Sequence, residues 1–272
     1  MNIIVCVKQV PATNEVKMNP ETNTIIREGV ESIINPFDAY AIEEGVRLRE
    51  RHGGKVTVLS MGIPSVEATL REAISVGADE AALLTDRAFA GSDTLATAYA
   101  LSMGIRALGG CDLVICGKQA SDGDTAQVGP SLAEKLGVPH ATYVRKIESI
   151  EPAASDGGAH TLRCQRMTED GHETLSMPLP AVITVVKEIN EPRLPSIKGM
   201  MRAKKAMIRK LSAADVGADP ALCGLAGSPT QVVRTFVPQH DIKAEMLGGS
   251  VEEQAAALLC RLKELTTGGA GA

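Results

Sequence analysis

The first two-thirds of the chain alternates short β-branched runs with longer stretches whose apolar positions recur at helical spacing, the pattern of successive parallel βαβ units. Residues 3–7, 55–60, 80–85 and 112–117 predict strands, and residues 38–51, 65–76, 93–108 and 125–136 predict the helices between them. Val66, Leu70 and Ile74 share one face of the second helix, Leu95, Ala98, Ile105 and Leu108 one face of the third, and Val128, Leu132 and Leu136 one face of the fourth. Residues 16–30 break the alternation with Asn19-Pro20 and Glu28-Gly29, which predicts a β-hairpin excursion ahead of the first helix. Residues 161–168 and 173–177 flank Asp170-Gly171, a pair suited to a tight hairpin, and residues 181–186 form an apolar run expected of a strand buried on both faces. The pattern predicts an α/β fold with a mostly parallel, doubly wound sheet and an antiparallel hairpin edge.

After Asn190 the pattern loosens. Pro192, Pro195 and Gly199 precede a basic stretch over residues 200–210 that predicts a helix. The chain is then loop-rich, through Asp219-Pro220 and Ser228-Pro229, to a short strand expected near 232–237. A last helix is expected over 251–265, with Val251, Ala255, Leu258, Leu262 and Leu265 on one face. The division expected is a nucleotide-binding α/β domain over 1–211, followed by a linker and C-terminal arm over 212–272 that packs on a partner subunit.

In an open α/β sheet, ligands bind outside the carboxyl ends of the strands, so the polar residues at strand exits are the ones to read for chemistry. The richest exit is the strand that runs into Gly117-Lys118-Gln119-Ala120-Ser121-Asp122-Gly123-Asp124-Thr125-Ala126-Gln127-Val128. Gly117 and Gly123 permit close backbone approach, Lys118 offers a cation, and Asp124 or Thr125 is expected to cap a helix whose free amides favour a phosphate. An ordinary loop with an Asp cap fits the same pattern, and neither a Walker A motif nor GxGxxG is present. Asn35-Pro36-Phe37-Asp38 at the first helix, Met61 at the next strand exit, and Thr94 and Thr97 at the third helix add convergent polar groups. Thr94 and Thr97 fit equally well as helix-start and surface residues.

Composition narrows the function classes. A net charge of −5, three Phe, three Tyr and no Trp argue against nucleic acid as the main partner. The six cysteines (6, 111, 116, 164, 223, 260) form no CxxC pair and have no His at zinc spacing, so no metal site is expected; Cys6 and Cys116 sit within apolar strands as small hydrophobes. The five His are scattered, and no hydrolase constellation emerges. No signal-peptide pattern opens the chain and no apolar run reaches the roughly 18–20 residues of a membrane span, so the expectation is a cytoplasmic protein with no membrane insertion.

These residues resemble the β subunit of electron-transferring flavoproteins along most of the chain. VCVKQVP at 5–11, residues 35–38 followed by AYAIEEGVRL, the loop 117–130, and Asn190-Glu191-Pro192-Arg193 leading to Met201-Arg202-Ala203-Lys204-Lys205 carry the match. So do Arg166, Glu169, Asp170, Gly171, Glu173, Leu175, Pro180 and residues 182–185 of the family's hairpin signature, with Cys164 where the family usually has an aliphatic residue or Gly. The resemblance implies a Rossmann-like fold of the adenine nucleotide alpha hydrolase-like kind, and a heterodimer with an α subunit that carries FAD. It also implies a nucleotide site on this chain at Cys6, Asn35, Pro36, Phe37, Asp38, Met61 and the loop 117–128.

The loop resembles the flavin-bifurcating branch, in which a second FAD replaces the AMP of ordinary β subunits and accepts a hydride from NADH. Gly123 and Thr125 would leave room for a pyrophosphate. That branch implies an acyl-CoA dehydrogenase-type partner and a ferredoxin or flavodoxin acceptor, so the chain would oxidise NADH only within the α/β complex, and few catalytic side chains are expected. Thr94 and Thr97 would line the isoalloxazine or nicotinamide region. Ile197 would be the tip of the family's partner-recognition loop, although a core contact fits it as well. The basic residues 202–210 would steer docking, or form a solvated face. Leu194-Pro195 departs from the aromatic pairs common there. Two alternatives stand beside this reading: an AMP-binding β subunit without redox cofactor, and a stand-alone ATP-binding protein, whose SGGxDS-type loop is missing from residues 7–11.

Overall fold

The computed structural model describes residues 1–12, 31–152, 158–233, 244 and 246–268. Among these residues the main sheet has nine strands. Its strands are β1 (Asn2–Cys6), β4 (Lys55–Met61), β5 (Glu80–Leu84), β6 (Leu113–Gly117), β7 (His140–Glu151), β8 (Thr161–Thr168), β9 (Gly171–Pro178), β10 (Ala181–Val185) and β11 (Ile208–Leu211), while β2 (Gln9–Pro11) and β3 (Ser32–Ile34) pair antiparallel beside it. The spatial order is β11-β5-β4-β1-β6-β10-β7-β8-β9. Every neighbouring pair from β11 to β7 is parallel, and β7-β8-β9 continue as an antiparallel wing.

Helices cover both faces. Because successive strand residues point to opposite sides, Ile3 and Val5 of β1 meet Ile42 and Val46 of α1 (Pro36–His52) and Leu70 and Ile74 of α2 (Glu67–Ser75), whereas Ile4 and Cys6 meet Ala98, Leu101 and Ile105 of α3 (Thr94–Ala107) and Leu132 of α4 (Val128–Leu136). All five residues of β10 are buried, as the unbroken apolar run requires. Chain order sets the position of the ligand crevice. β1, β4 and β5 build outward to one side, and the chain then returns through α3 to place β6 on the other side of β1. The carboxyl ends of β1 and β6 therefore flank the topological switch point, where strand order reverses and a crevice opens.

Several boundaries differ from the sequence pattern. Strand β7 was not expected: two register shifts against β8 leave Ala141, Val144 and Ile147 buried at a spacing of three, which hides the alternation of a strand. The turn between β8 and β9 is Glu169-Asp170 rather than Asp170-Gly171, since Gly171 already pairs with Thr168. The basic stretch divides into α5 (Ile197–Lys205) and β11, because Ala206 leaves the helix at ψ 136° and β11 buries only its ends, Ile208 and Leu211. Helix α4 begins at Val128, not at 125, because Asp124 and Ala126 lie at φ 54° and 53°, outside right-handed helix.

Residues 1–233 form one compact unit and residues 234–272 another. Ala213, Val216, Ala218 and Cys223 lie in the core of the first unit, so residues 212–233 belong to it where the sequence suggested a linker. The second unit contains α6 (Val251–Gly268), with Val251, Leu258 and Leu262 exposed. The hairpin expected over 16–30 falls outside the described residues except for its flanks β2 and β3, as does most of the strand expected near 232–237. Among the described residues no helix is long and apolar enough to cross a membrane.

Candidate functional site

A cleft of about 710 Å³ opens at the switch point. Its floor is the exits of β1 and β6, with Cys6, Val7, Cys116 and Gly117; the residues that follow β6, Lys118, Gln119 and Ala120, form one wall. Asn35 and Asp38 enter from the start of α1, Met61 from the end of β4, and Thr94, Thr97 and Leu101 from α3. Gly123, Thr125, Ala126, Gln127 and Val128 close the side above α4, and Thr230 and Val232 reach the same cavity from the end of the first unit.

Gly117 is required by close approach: a Cβ there would lie 2.3 Å from Asp38 Oδ1 and 2.8 Å from the backbone carbon of Phe37. This contact lets the start of α1 descend onto the β6 exit. Asn35 is the N-cap of α1, yet its side chain does not cap. Its amide instead donates to the Gln119 carbonyl at 2.8 Å, and its carbonyl accepts from Ser121 N at 3.0 Å, which fixes the chain leaving β6. Asp38 is 5% exposed and accepts from Lys8 N at 2.7 Å. Burial pushes its carboxyl up to about 7, against the lowering effect of that amide. Cys6 and Cys116 are paired residues of neighbouring strands, and the Cys6 thiol is held well above its usual range by its hydrogen bond with Cys116 and by burial. A thiol so placed is a packing group, not a nucleophile.

The segment 119–127 is fixed at several points. Lys8 Nζ meets Asp122 Oδ1 at 2.6 Å, Asp124 accepts from the Gln119 side chain, and Thr94 Oγ1 donates to Gln127 Oε1 at 3.3 Å. Asp124 and Ala126, on either side of Thr125, lie at φ 54° and 53°, which turns the backbone out of a helical path before α4. Among the described residues the amides of Thr125, Ala126 and Gln127 have no protein acceptor. Nothing lies within 4 Å of a Cβ built on Gly123, so the segment is open there. The cap expected from Asp124 or Thr125 is not made: Gln127 is the N-cap of α4, and its side chain makes no capping bond. Asp93 is the working cap nearby, accepting from Leu95 N and Ala96 N at the start of α3 and from Thr230 Oγ1 at 2.7 Å.

Most of the residues singled out in the sequence meet in this cleft. Pro36, Phe37, Ser121, Asp122 and Asp124 do not line it, and support it from behind: Phe37 lies under the Lys118 ammonium, with its ring centroid 5.7 Å away. Val7, Lys8, Ser92, Asp93, Leu101, Cys116, Gly129, Thr230 and Val232 also line it and were not among the predicted site residues. Val7 and Leu101 read as core residues, and Thr230 joins the site through Asp93, a contact across 137 positions that has no local signal.

A second feature lies along α1. Arg193 is bound by Glu43 at 2.8 Å and by Glu50 at 2.7 Å, and Asn190 donates to Tyr40 O and Glu44, both at 3.0 Å. Burial opposes ionisation of Glu43, but the hydrogen bonds from Arg193 and Arg47 outweigh it and hold the carboxyl below its usual range. At the far end, Arg71 of α2 donates to the Ala203 and Ala206 carbonyls that end α5, while Arg202 of α5 donates to Ile74 O and Ala78 O at the end of α2. Between these anchors Leu194 and Ile197 are 87% and 76% exposed.

Comparison with known proteins decides the family. The model of the electron transfer flavoprotein domain matches residues 22–216. The electron transfer flavoprotein subunit beta of Thermoanaerobacterium thermosaccharolyticum is 52% identical over 263 residues, covering 96% of this chain and 98% of that one. The chain belongs to the electron transfer flavoprotein β-subunit/FixA family. Protein FixA of Bradyrhizobium diazoefficiens is 47% identical over 264 residues (95% of this chain, 90% of that one), and the caffeyl-CoA reductase-Etf complex subunit CarD of Acetobacterium woodii is 46% identical over 266 residues (97% and 98%). As a member of this family, the chain has its role in electron transfer. The matched region of this family member includes the whole loop 117–128 and the anchored segment 190–205, but stops short of Thr230 and Val232.

Proposed function

We propose that the chain is the β subunit of a cytoplasmic, heterodimeric electron transfer flavoprotein of the flavin-bifurcating type, with FAD in the cleft and NADH as hydride donor. The observation that carries this reading is the open stretch over residues 123–127, where Asp124 and Ala126 take positive φ and the amides of Thr125, Ala126 and Gln127, without an acceptor among the described residues, belong to residues that line the cleft with Asn35, Asp38, Thr94 and Thr97. The residues present fit such a group. Asn35, Asp38, Cys6, Met61, Gly117, Gln119 and Ala120 would hold its adenosine end, Lys118 and the amides of 125–127 its pyrophosphate, and Thr94 and Thr97 would orient its reactive end against nicotinamide.

FAD, when bound, would supply the redox chemistry that links the two-electron donor NADH to one-electron acceptors, a ferredoxin or flavodoxin and, by way of the α-subunit FAD, an acyl-CoA dehydrogenase-type partner. The protein binds, orients and excludes water. Exposed Ile197 and Leu194, held between the Arg193 and Arg71 anchors, form the apolar key for that partner. The complex named for CarD, a caffeyl-CoA reductase-Etf complex, supports a partner that acts on acyl-CoA substrates. The unit 234–272, with its exposed α6 face, would engage the α subunit.

AMP in place of FAD is the second reading, since the Lys118 ammonium and the amides of 125–127 suit a single phosphate as well. Anaerobic titration of the α/β complex with NADH distinguishes the two readings. Bleaching of flavin absorbance is expected, and Thr97→Ala should slow it about tenfold with flavin content retained, the scale of one lost polar contact. A complex that NADH does not reduce would contradict the bifurcating assignment, and an unchanged rate in Thr97→Ala would remove Thr97 from the site.

A further inference from the structure

Tyr143 occupies a backbone conformation that its chemistry disfavours. Among the described residues it is one of three non-glycine positions at positive φ, at 58°, and it lies inside strand β7 rather than in a loop. The cause is a bulge. Where β10 advances from Ile183 to Val185, β7 advances from Ala141 to Val144, so β7 carries one extra residue. The Tyr143 amide, turned out of the ladder, donates to Thr184 Oγ1 at 3.1 Å. A left-handed tyrosine is costly and persists only where its surroundings impose it, and such positions gather at functional sites.

The bulge re-aims the ring. Its centroid lies 5.2 Å from Lys118 Nζ, and the Phe37 ring lies 5.7 Å from the same ammonium. Lys118 lines the cleft, and its amide donates to Val185 O at 2.9 Å, which ties it to the same strand exit. Lys8, on the other side of the loop, is neutralised by Asp122 at 2.6 Å; among the described residues no carboxylate forms an ion pair with Lys118. Aromatic faces attract an ammonium without cancelling its charge, whereas a carboxylate would remove the field it projects.

We propose that Tyr143 is a positioning residue for ligand recognition: the β7 bulge turns its ring to form, with Phe37, an aromatic clamp that keeps Lys118 at the cleft wall as an uncompensated cation for a phosphate-bearing ligand. This rests on the reading of the cleft as a nucleotide site. It also gives a reason for a tyrosine where glycine would relieve the backbone.

The test uses AMP and adenosine as probes on the complex purified with its α subunit and stripped of nucleotide, with Kd measured by calorimetry and Tm measured alongside. The wild type should prefer AMP, and Lys118→Met should weaken AMP while leaving adenosine unchanged. Tyr143→Gly should reduce the preference for AMP over adenosine about three- to tenfold, the range of a partly desolvated cation–π contact, while Tm holds or rises. Tyr143→Phe, which keeps the ring, should keep the wild-type ratio. Equal loss of both probes with a fallen Tm in Tyr143→Gly would show a purely structural role and overturn the proposal. So would an unchanged ratio in Tyr143→Gly when Lys118→Met lowers it, with the nucleotide reading intact. A wild-type complex that binds neither probe overturns that reading and the proposal with it.

Discussion

The loop 117–128 and the segment 190–205 are both anchored by α1, yet they present opposite chemistries. Asn35 and Asp38, at the first turn of the helix, serve the loop: they fix the chain leaving β6 so that unpartnered backbone amides face a cavity. Glu43, Glu44 and Glu50, further along, serve the segment: they bind Asn190 and Arg193 so that aliphatic side chains face outward. In the proposed site the loop's backbone amides, with Lys118, are the recognition element and its other side chains are scaffold. In the segment those roles are exchanged. One helix therefore supports both the ligand cleft and the proposed docking surface, and its two ends are separable by mutation.

The largest effect is expected at Asp38. Its carboxyl titrates near 7 in the fold and near 3.8 when unfolded, so between those values the native state binds the extra proton and stability falls as pH rises. Asp38→Asn should remove that slope. The stability of the wild type relative to the variant should decline by up to about 4 kcal/mol from pH 4 to pH 8, the full value of a shift of this size. Denaturant melts at a series of pH values check this, and parallel curves would show that Asp38 is not buried as described.

Gly117→Ala comes next. Its new methyl collides with backbone as well as with Asp38 Oδ1, so destabilisation of about 2–3 kcal/mol is expected, together with loss of β-site nucleotide from the purified complex. A variant with full stability and full nucleotide content would separate the loop from α1 and break the comparison at its cleft end. Ile197→Ser should change stability by less than about 0.5 kcal/mol, because the side chain is 76% exposed, while weakening electron delivery to the cognate dehydrogenase about tenfold. Stopped-flow mixing with that dehydrogenase measures it, and an unaltered rate would place the docking tip elsewhere, with Leu194 the first alternative.

Much of this arrangement is legible in the sequence because the parallel core writes itself in local patterns. The strands over residues 2–6, 55–61 and 113–117 are short runs rich in aliphatic and β-branched residues, and the polar residues that follow them converge because the fold gathers strand exits. What escapes is non-local. Strand β7 hides behind its bulges, which shift Ala141, Val144 and Ile147 off a period of two, and β11 is a charged edge strand whose exposed Arg209 and Lys210 resemble a helix face. The start of α4 was misplaced because a single-residue left-handed conformation at Asp124 or Ala126 has no composition signature without glycine. Thr230 and Tyr143 reach the site or its support only through tertiary contacts to Asp93 and Lys118.

The most direct test of the cofactor assignment is the nucleotide content of the complex purified with its α subunit, released by denaturation and separated by chromatography. The expected result is two FAD per heterodimer and no AMP, with the second FAD lost in Gly117→Ala. One FAD and one AMP per heterodimer would contradict the flavin assignment of the cleft and leave the chain an electron-carrier subunit without a redox cofactor of its own.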